Sequence, residues 1–576
     1  EERQDEITSA WRRYFGALAR RGPIAVWIED VHWAEPELVR LVDRLTVSGD
    51  GPLLVIATAR PEFAEAAGVR PGGDRFFVEL DALEEEAAAE LARTAGARDD
   101  ATARRGGGNP LFIIELARSR TADDALPVTL QGAIGARLDE LSGEDRELLQ
   151  RAAVAGETFS GTDAALLCER DAADVARALE RLADRLYLHP ARGAYRFHHA
   201  LVRDVAYQRL PIAERMRLHA RYARNAVHSE DVEALAHHWW EAMRPPDAEW
   251  VWEGEPDLAT DRREAFRANL AAGRRHAERF AHASAVGLLG RAAVLAQDPL
   301  ERALAERALG DTYRLNIESD AAWEHYLKAR DAYREAGDAP ADLYPRIVEV
   351  PIRWPGAFWE QPDDAIVHAL LDEGEEAARR SGEDLPLVEI LLARARLRLR
   401  DQGKLGDRAE IDEALRILDR RGDLVGIVDT LEDIGSLLLY GREDVDSARP
   451  IFERVDRLIA RGGRIVNEDS YFDHREALAL ALGDLASAWA VARRELEVDE
   501  RRGPHLLSHA LARYGSVALQ AGEHAVVLDM AARARALVGA HPNTQFCDGG
   551  AGQALASAAL VHALEGRREQ AEELIR

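Results

Sequence analysis

Near the start of the chain the apolar positions gather in three short runs: Pro23-Ile24-Ala25-Val26-Trp27-Ile28, Leu53-Leu54-Val55-Ile56-Ala57 and Phe76-Phe77-Val78-Glu79-Leu80. Each has the length of a strand, and helical sequence over 36–45 separates the first two. Buried strands alternating with helices predict a parallel α/β sheet. From Leu83 the period becomes helical. A glycine-rich break, Gly106-Gly107-Gly108-Asn109-Pro110, precedes a helix expected over 111–118. Further helices are expected at 127–139, 143–155 and 171–186, then strands at 187–189 and 195–197 about a Gly193 turn. Helices closed by a small hairpin predict a winged helix. Beyond about residue 205 no strand pattern recurs, and alanine-rich amphipathic helices run on to Arg576.

Those helices repeat. Leu309, Gly310, Tyr313, Ala322, Tyr326 and Ala329 hold the positions of a tetratricopeptide helix pair, in which small residues let two helices approach and aromatics fill the groove. Later units are looser. One carries Gly515, Gly522 and Ala534, another Gly483 and Ala488, and a last runs from Gly566 to Ala571. The equivalent glycines Gly483, Gly522 and Gly566 are about 40 residues apart, longer than the usual ~34. The fold class expected is mainly α: a partial α/β sheet, a winged helix, then a degenerate tetratricopeptide-like solenoid with a long surface for partners.

Composition narrows the function. At 576 residues the chain has room for about three to five domains. Its 103 acidic and 75 basic residues leave a formal net charge of −28, which repels phosphate backbones and argues against nucleic-acid binding by this segment. No apolar run approaches the ~20 residues of a membrane span, and Glu1-Glu2-Arg3-Gln4-Asp5 is not a signal peptide. The two cysteines, Cys168 and Cys547, suit a reducing cytoplasm. The only lysines are Lys328 and Lys404. The chain starts without Met and within helix-like sequence, and is read as a piece of a longer protein.

Three places carry chemistry. The first apolar run delivers Glu29 and Asp30 to its C-terminal end, the edge of an α/β sheet where phosphates and Mg²⁺ sit. One carboxylate can hold the metal's water shell while the other orients or deprotonates an attacking water. The same acids also fit a solvated strand end. The second run ends Thr58-Ala59-Arg60, where the arginine can read a γ-phosphate. Gly108-Asn109-Pro110 opens a helix with a proline ring able to pack on a base, or simply starts that helix.

In this order and spacing the pieces E-D-V-H-W-A-E-P, A-T-A-R-P-E-F, G-G-N-P-L-F, L-P-V-T-L-Q-G-A-I-G-A-R-L-D, F-H-H-A-L-V-R-D-V-A-Y and A-L-A-H-H-W, spread over about residues 5–240, resemble the STAND class of P-loop ATPases, the signal-transduction branch related to AAA+ proteins. The likeness is to the ATPase region of large bacterial regulators that carry a class III adenylate/guanylate cyclase domain or a LuxR-type DNA-binding domain. The resemblance implies an ATP/ADP site with Mg²⁺. Glu29 matches the Walker B position associated with Mg²⁺ through water, with Glu where the family has Asp, and Asp30 the acid after it. Arg60 matches the sensor 1 arginine, and Gly108 and Pro110 the GxP motif near adenine. His199 resembles the winged-helix histidine that touches the β-phosphate of ADP, and Ala200 stands where relatives often carry Asp. A P-loop needs GxxxxGK[ST]. Neither lysine lies in such a context, so that loop is expected before Glu1, and this chain alone is expected not to turn ATP over.

The expected divisions are 1–82, the later part of the ATPase α/β domain; 83–125, a helical lid; 126–205, the winged helix; 206–265, a helical linker; and 266–576, the repeat array. Expected partners are a protein or small-molecule effector on the array and further copies in nucleotide-driven self-assembly, with neither membrane nor nucleic acid bound by this segment. The function implied is an ATP/ADP-dependent regulatory switch in the cytoplasm. The alternatives are a tetratricopeptide scaffold with a structural ATPase remnant, and the sensor of a nucleotide cyclase. His505 and His509, spaced i,i+4, and His237-His238-Trp239-Trp240 are weaker candidates, read as packing rather than metal sites.

Overall fold

A computed structural model describes the chain apart from residues 1, 35–37, 40, 43–44, 46–51, 61–62, 64–75, 98–100, 119–128, 226–230, 354, 404, 406, 423–424, 443, 464, 466–467, 501–503, 541–547 and 576. The described chain is mainly helical, with two small sheets. It divides into two units: Pro71–Leu309, and Glu1–Arg70 with Gly310–Arg576. No helix among the described residues is long and apolar enough to cross a membrane.

At the start, α1 (Glu2–Ala19) precedes β1 (Ile24–Ile28) and β2 (Leu53–Ala57). The two strands pair in parallel, Ile24 opposite Leu53 through Ile28 opposite Ala57. Of the helix expected over 36–45, residues 38, 39, 41, 42 and 45 are helical, and the others lie outside the described residues. Two expectations fail. Strands buried on both faces were inferred from the apolar runs, yet Trp27, Leu54 and Ile56 share a face and are 66%, 57% and 41% exposed. The run 76–80 is not a strand, and Phe76, Val78 and Leu80 stand open to solvent. An apolar run becomes a strand only when a neighbour completes its backbone hydrogen bonds, and no described strand pairs with it.

In the unit Pro71–Leu309, α2 (Glu85–Thr94), α3 (Ala101–Arg105) and α4 (Pro110–Arg118) pack around Ala88, Ala92, Ala103 and Ile113. There follow α5 (Leu130–Asp139), α6 (Gly143–Ala152), β3 (Thr158–Phe159), α7 (Gly161–Cys168), α8 (Ala172–Asp184), β4 (Leu188–Ala191), β5 (Ala194–Phe197) and α9 (Ala200–Gln208). The starts of α5 to α8 are set by side-chain caps: Thr129, Ser142, Ser160 and Asp171 each accept from a backbone N–H in the first turn. Ser160 and Asp163 form a reciprocal capping box. The antiparallel sheet has the order β3-β5-β4; β3, two residues long, gave no sequence signal. Leu148, Leu149, Leu179, Leu182 and Phe197 centre the core between helices and sheet. Cys168 lies in it, and burial pushes its thiol up to about 11, which makes it a packing residue rather than a nucleophile. Cys547 lies outside the described residues.

The elements of the remaining described residues are helices: α10 (Ile212–Asn225), α11 (Val232–Met243), α12 (Asp247–Val251), α13 (Leu258–Glu278), α14 (His282–Leu295) and α15 (Pro299–Leu315). In the unit holding Gly310–Arg576 come α16 (Ser319–Ala336), α17 (Leu343–Arg353), α18 (Asp364–Ser381), α19 (Asp384–Gln402), α20 (Ala409–Arg421), α21 (Val428–Arg442), α22 (Val445–Ala460), α23 (Glu468–Ala481), α24 (Leu485–Asp499), α25 (Pro504–Ala521), α26 (His524–Ala540), α27 (Gln553–Leu564) and α28 (Arg568–Ile575). Successive helices pack on one another as pairs. Gly310 faces the fully buried ring of Tyr326, where an added Cβ would come within 2.6 Å of it. Small residue under aromatic is therefore the contact that joins this pair. Gly483, Gly522 and Gly566 each turn the chain at positive φ, between 71° and 75°, at the same point of the repeat.

Candidate functional site

The parallel register of β1 and β2 sets their C-terminal ends side by side, so Glu29-Asp30 and Thr58-Ala59-Arg60 share one edge of the sheet. The ends are tied together. Thr58 N–H donates to Ile28 O and Val31 N–H to Thr58 O, both at 2.9 Å. Asp30 N–H donates to Thr58 Oγ1, also at 2.9 Å. Asp30 is held in the left-handed region (φ 53°), a conformation that costs a non-glycine residue on the order of 1 kcal/mol and that Asp tolerates better than most. The turn sends the next residues inward, burying Val31, and leaves the Glu29 and Asp30 carboxylates and Arg60 in solvent. His32 Nδ1 stands 3.9 Å from Asp30 Oδ1. Two carboxylates, a threonine and an arginine at one strand edge can meet a hydrated divalent cation and phosphate oxygens. Among the described residues no group of three or more His, Cys, Asp or Glu is placed to hold a metal ion by itself.

Gly108, Pro110 and His199 belong to the other unit, Pro71–Leu309. Asn109 caps α4 by accepting from Phe112 N–H at 3.0 Å, and Pro110 takes the first helical position, where its missing N–H costs nothing. Gly108 has φ 71°, and its carbonyl accepts from Leu83 N–H at 2.9 Å. An added Cβ would lie 2.7 Å from Ala82 Cβ and 2.8 Å from Leu83 O, so both the conformation and the space require glycine. Pro110 is exposed. His199 caps α9: its Nδ1 accepts from Leu201 N–H at 3.1 Å. The neutral ring therefore carries its proton on Nε2, and this donor is on an exposed side chain.

Four residues that the sequence motifs did not single out connect α4 to the strand before His199. Glu115 and Arg137 form an ion pair and are 3% and 4% exposed. Arg137 also reaches Arg185 O at 3.4 Å and lies 4.4 Å over the Tyr187 ring. One turn on, Arg118 Nη1 donates to His198 Nε2 at 3.2 Å, so His198 presents Nδ1–H to His189 Nε2 at 3.1 Å. Burial first, then His189 and Arg118, push the His198 ring below its ordinary range, with a backbone hydrogen bond opposing. The helix that starts at Pro110 is thus clamped, at its far end, to the residue next to His199. The one available signal was a lone acid, Glu115, inside the otherwise apolar stretch Pro-Leu-Phe-Ile-Ile-Glu-Leu-Ala of α4. Such an acid needs a partner, but nothing local says which.

A second histidine group lies in α10 and α11. His219 Nδ1 and His238 Nδ1 are 2.8 Å apart, and Tyr207 Oη meets His219 Nε2 at 2.9 Å. Both rings are buried; within His237-His238-Trp239-Trp240, His238 and Trp239 pack inward and His237 is exposed. Burial first, then the neighbouring histidines and arginines, lowers both rings, His238 to about 4. In the unfolded chain they titrate near 6.5, so the unfolded state takes up protons first as the pH falls. For His238 this contribution to stability is whole above 6.5 and drains away toward about 4, at about 1.4 kcal/mol per pH unit. Thermal melts between about pH 7.5 and pH 4.5 should fall steeply, and less steeply in His238→Gln. A profile identical in that variant would place the acid sensitivity elsewhere. His505 and His509 are 5.0 Å apart between ring centroids and belong to no group of three or more metal-binding side chains among the described residues.

No family model matches the sequence. It is similar to an uncharacterised protein of Rhizobium meliloti (strain 1021), 30% identical over 244 residues, covering 38% of this chain and 24% of that protein. The chain thus spans about a quarter of the length of the curated relative it matches. Among solved structures it is similar to a signal transduction ATPase with numerous domains (STAND) that bears a tetratricopeptide repeat sensor, from Pyrococcus horikoshii. That likeness has a TM-score of 0.38 at 13% identity and covers 93% of this chain and 84% of that one. It is also similar to the apo form of the quorum sensor NprR from B. thuringiensis, with a TM-score of 0.39 at 13% identity, over 64% of this chain and 98% of that one.

Proposed function

We propose that this chain is the regulatory segment of an ATP-dependent switch. In this reading Glu29 and Asp30 face a magnesium ion through its water shell, and Arg60 reads the γ-phosphate of ATP. Pro110 packs against adenine, and His199 donates its Nε2–H to the β-phosphate of ADP. The bound nucleotide supplies the difference in charge between two states, and the helices from α13 onward receive the effector. For a switch to follow, the two nucleotides must favour different conformations. The observation that carries the reading is the parallel pairing that puts Glu29, Asp30 and Arg60 at one strand edge. The left-handed turn at Asp30, bonded to Thr58, supports it, because the strain is held where the acids project.

The test is nucleotide discrimination. In the full-length protein Arg60→Ala should weaken ATP binding by about tenfold or more while ADP affinity stays within about twofold, since only ATP carries the γ-phosphate that a charge-assisted bond would read. Calorimetry with both nucleotides decides it. Equal losses for ATP and ADP would make Arg60 a structural residue and remove the sensor role.

A further inference from the structure

The helices α17, α19 and α21, with Arg314 of α15, enclose a cavity of about 530 Å³ within the unit that holds Gly310–Arg576. That volume is ordinary for a small-ligand site, roughly 300–1,000 Å³. Ile352, Leu385 and Leu392 supply apolar wall, and the remainder is strongly charged, with six carboxylates against four arginines. Each arginine is already matched. Arg314 and Arg353 lie 3.2 and 3.1 Å from the two oxygens of Glu349. Arg353 and Arg396 share Asp433, and Arg346 is 3.0 Å from Asp311. An anionic ligand would have to break one of these pairs to gain one.

Two of the carboxylates are not matched in the same way. Glu389, on the cavity wall and open to it, makes no ion pair among the described residues, and neither does Glu383. Burial pushes the Glu389 carboxyl above the usual range; Arg346 opposes the rise, and Glu349, Asp342 and Asp433 add to it.

We infer that this cavity binds a cationic head on an aliphatic stem, an alkyl amine or a lysine-like side chain, with the charge against Glu389 and the stem against Ile352, Leu385 and Leu392. The arginines serve as fixed walls, held by their own ion pairs, and the carboxylates of Glu389 and Glu383 select the cation. This assignment deepens, and rests on, the reading of the helical array as the part that receives the effector.

Calorimetry on this chain tests it with four probes: cadaverine, the capped tripeptide Ala-Lys-Ala, its uncharged isostere Ala-norleucine-Ala, and Ala-Glu-Ala. Cadaverine or the lysine peptide should bind and the other two should not. Cadaverine binding alone identifies a free amine as the ligand source, and lysine-peptide binding alone a peptide side chain. Glu389→Gln should weaken the binding about ten- to a hundredfold, the effect of losing one hydrogen-bonded charge, and Glu389→Lys should abolish it. Neither variant should melt below the parent, because the side chain makes no ion pair among the described residues and its carboxylate sits among like charges. The inference is overturned if neither cationic probe binds, if the norleucine peptide binds equally well, or if both variants bind like the parent. The switch is judged separately, by ADP release from the full-length protein with the bound probe present. Glu389-dependent binding with unchanged ADP release upholds the cavity and rejects the switch.

Discussion

Glu115→Ala should lower the stability of the unit Pro71–Leu309 by about 3–5 kcal/mol. Both members of the pair are almost wholly buried, at 3% and 4% exposure. Removing the acid leaves the Arg137 guanidinium with one long bond to Arg185 O and the face of Tyr187. Neither neutralises a charge that has lost its water. Arg118, 4.0 Å from the other oxygen of Glu115, loses its carboxylate as well. Replacing both partners by apolar residues of similar volume, Glu115→Leu with Arg137→Met, should restore most of the loss, because no charge is then stranded. Urea unfolding of Glu115→Leu, Arg137→Met and the double variant measures the coupling. A loss below about 1 kcal/mol, or single effects that simply add, would mean that water reaches the pair and that α4 is held by its apolar face alone.

His199→Asn should raise the rate of ADP release from the full-length protein about ten- to a hundredfold while leaving the melting temperature nearly unchanged. A hydrogen bond to a charged group is worth about 1.5–3 kcal/mol, which sets that range. The choice of Asn separates two functions of one ring. Nδ1 of His199 caps α9 by accepting from Leu201 N–H, and Asn is among the best caps. What Asn lacks is the distant Nε2–H that would meet a phosphate. His199→Ala removes cap and donor together, so it should release ADP as fast as His199→Asn and also lose about 1 kcal/mol of stability. Unchanged ADP release in His199→Asn, with a clear loss of stability in His199→Ala, would make His199 a helix cap and nothing more.

What was legible in the sequence had a local cause. The apolar runs at 24–28 and 53–57 are strands, and the acids following the first lie beside the Thr58–Arg60 end of the second, because a parallel register aligns their ends. The helix starts at Thr129, Ser142, Ser160 and Asp171 are written in residues that bond to the N–H groups of the next turn. Gly310 and Tyr326 announced a helix pair because one small and one aromatic position suffice to bring two neighbouring helices together. The recurring turn glycines are read the same way, since their φ is a property of the residue itself. The apolar run 76–80 shows the limit: its pattern is that of a strand, but the ladder belongs to a partner that the pattern does not contain. Glu115 and Arg137 are 22 residues apart, His219 and His238 are 19, and the cavity wall is drawn from Arg314 to Asp433. Each member of these sets is an unremarkable charge or ring on its own helix. Only the packing of the helices removes water from Glu115 and Arg137 together, brings the Nδ1 atoms of two imidazoles to 2.8 Å, and leaves Glu389 without the arginines that Glu349 and Asp433 have. A sequence specifies interactions within a helical turn through residue type and spacing; tertiary structure decides which distant charges must share a low-dielectric space, because that depends on which helix faces meet.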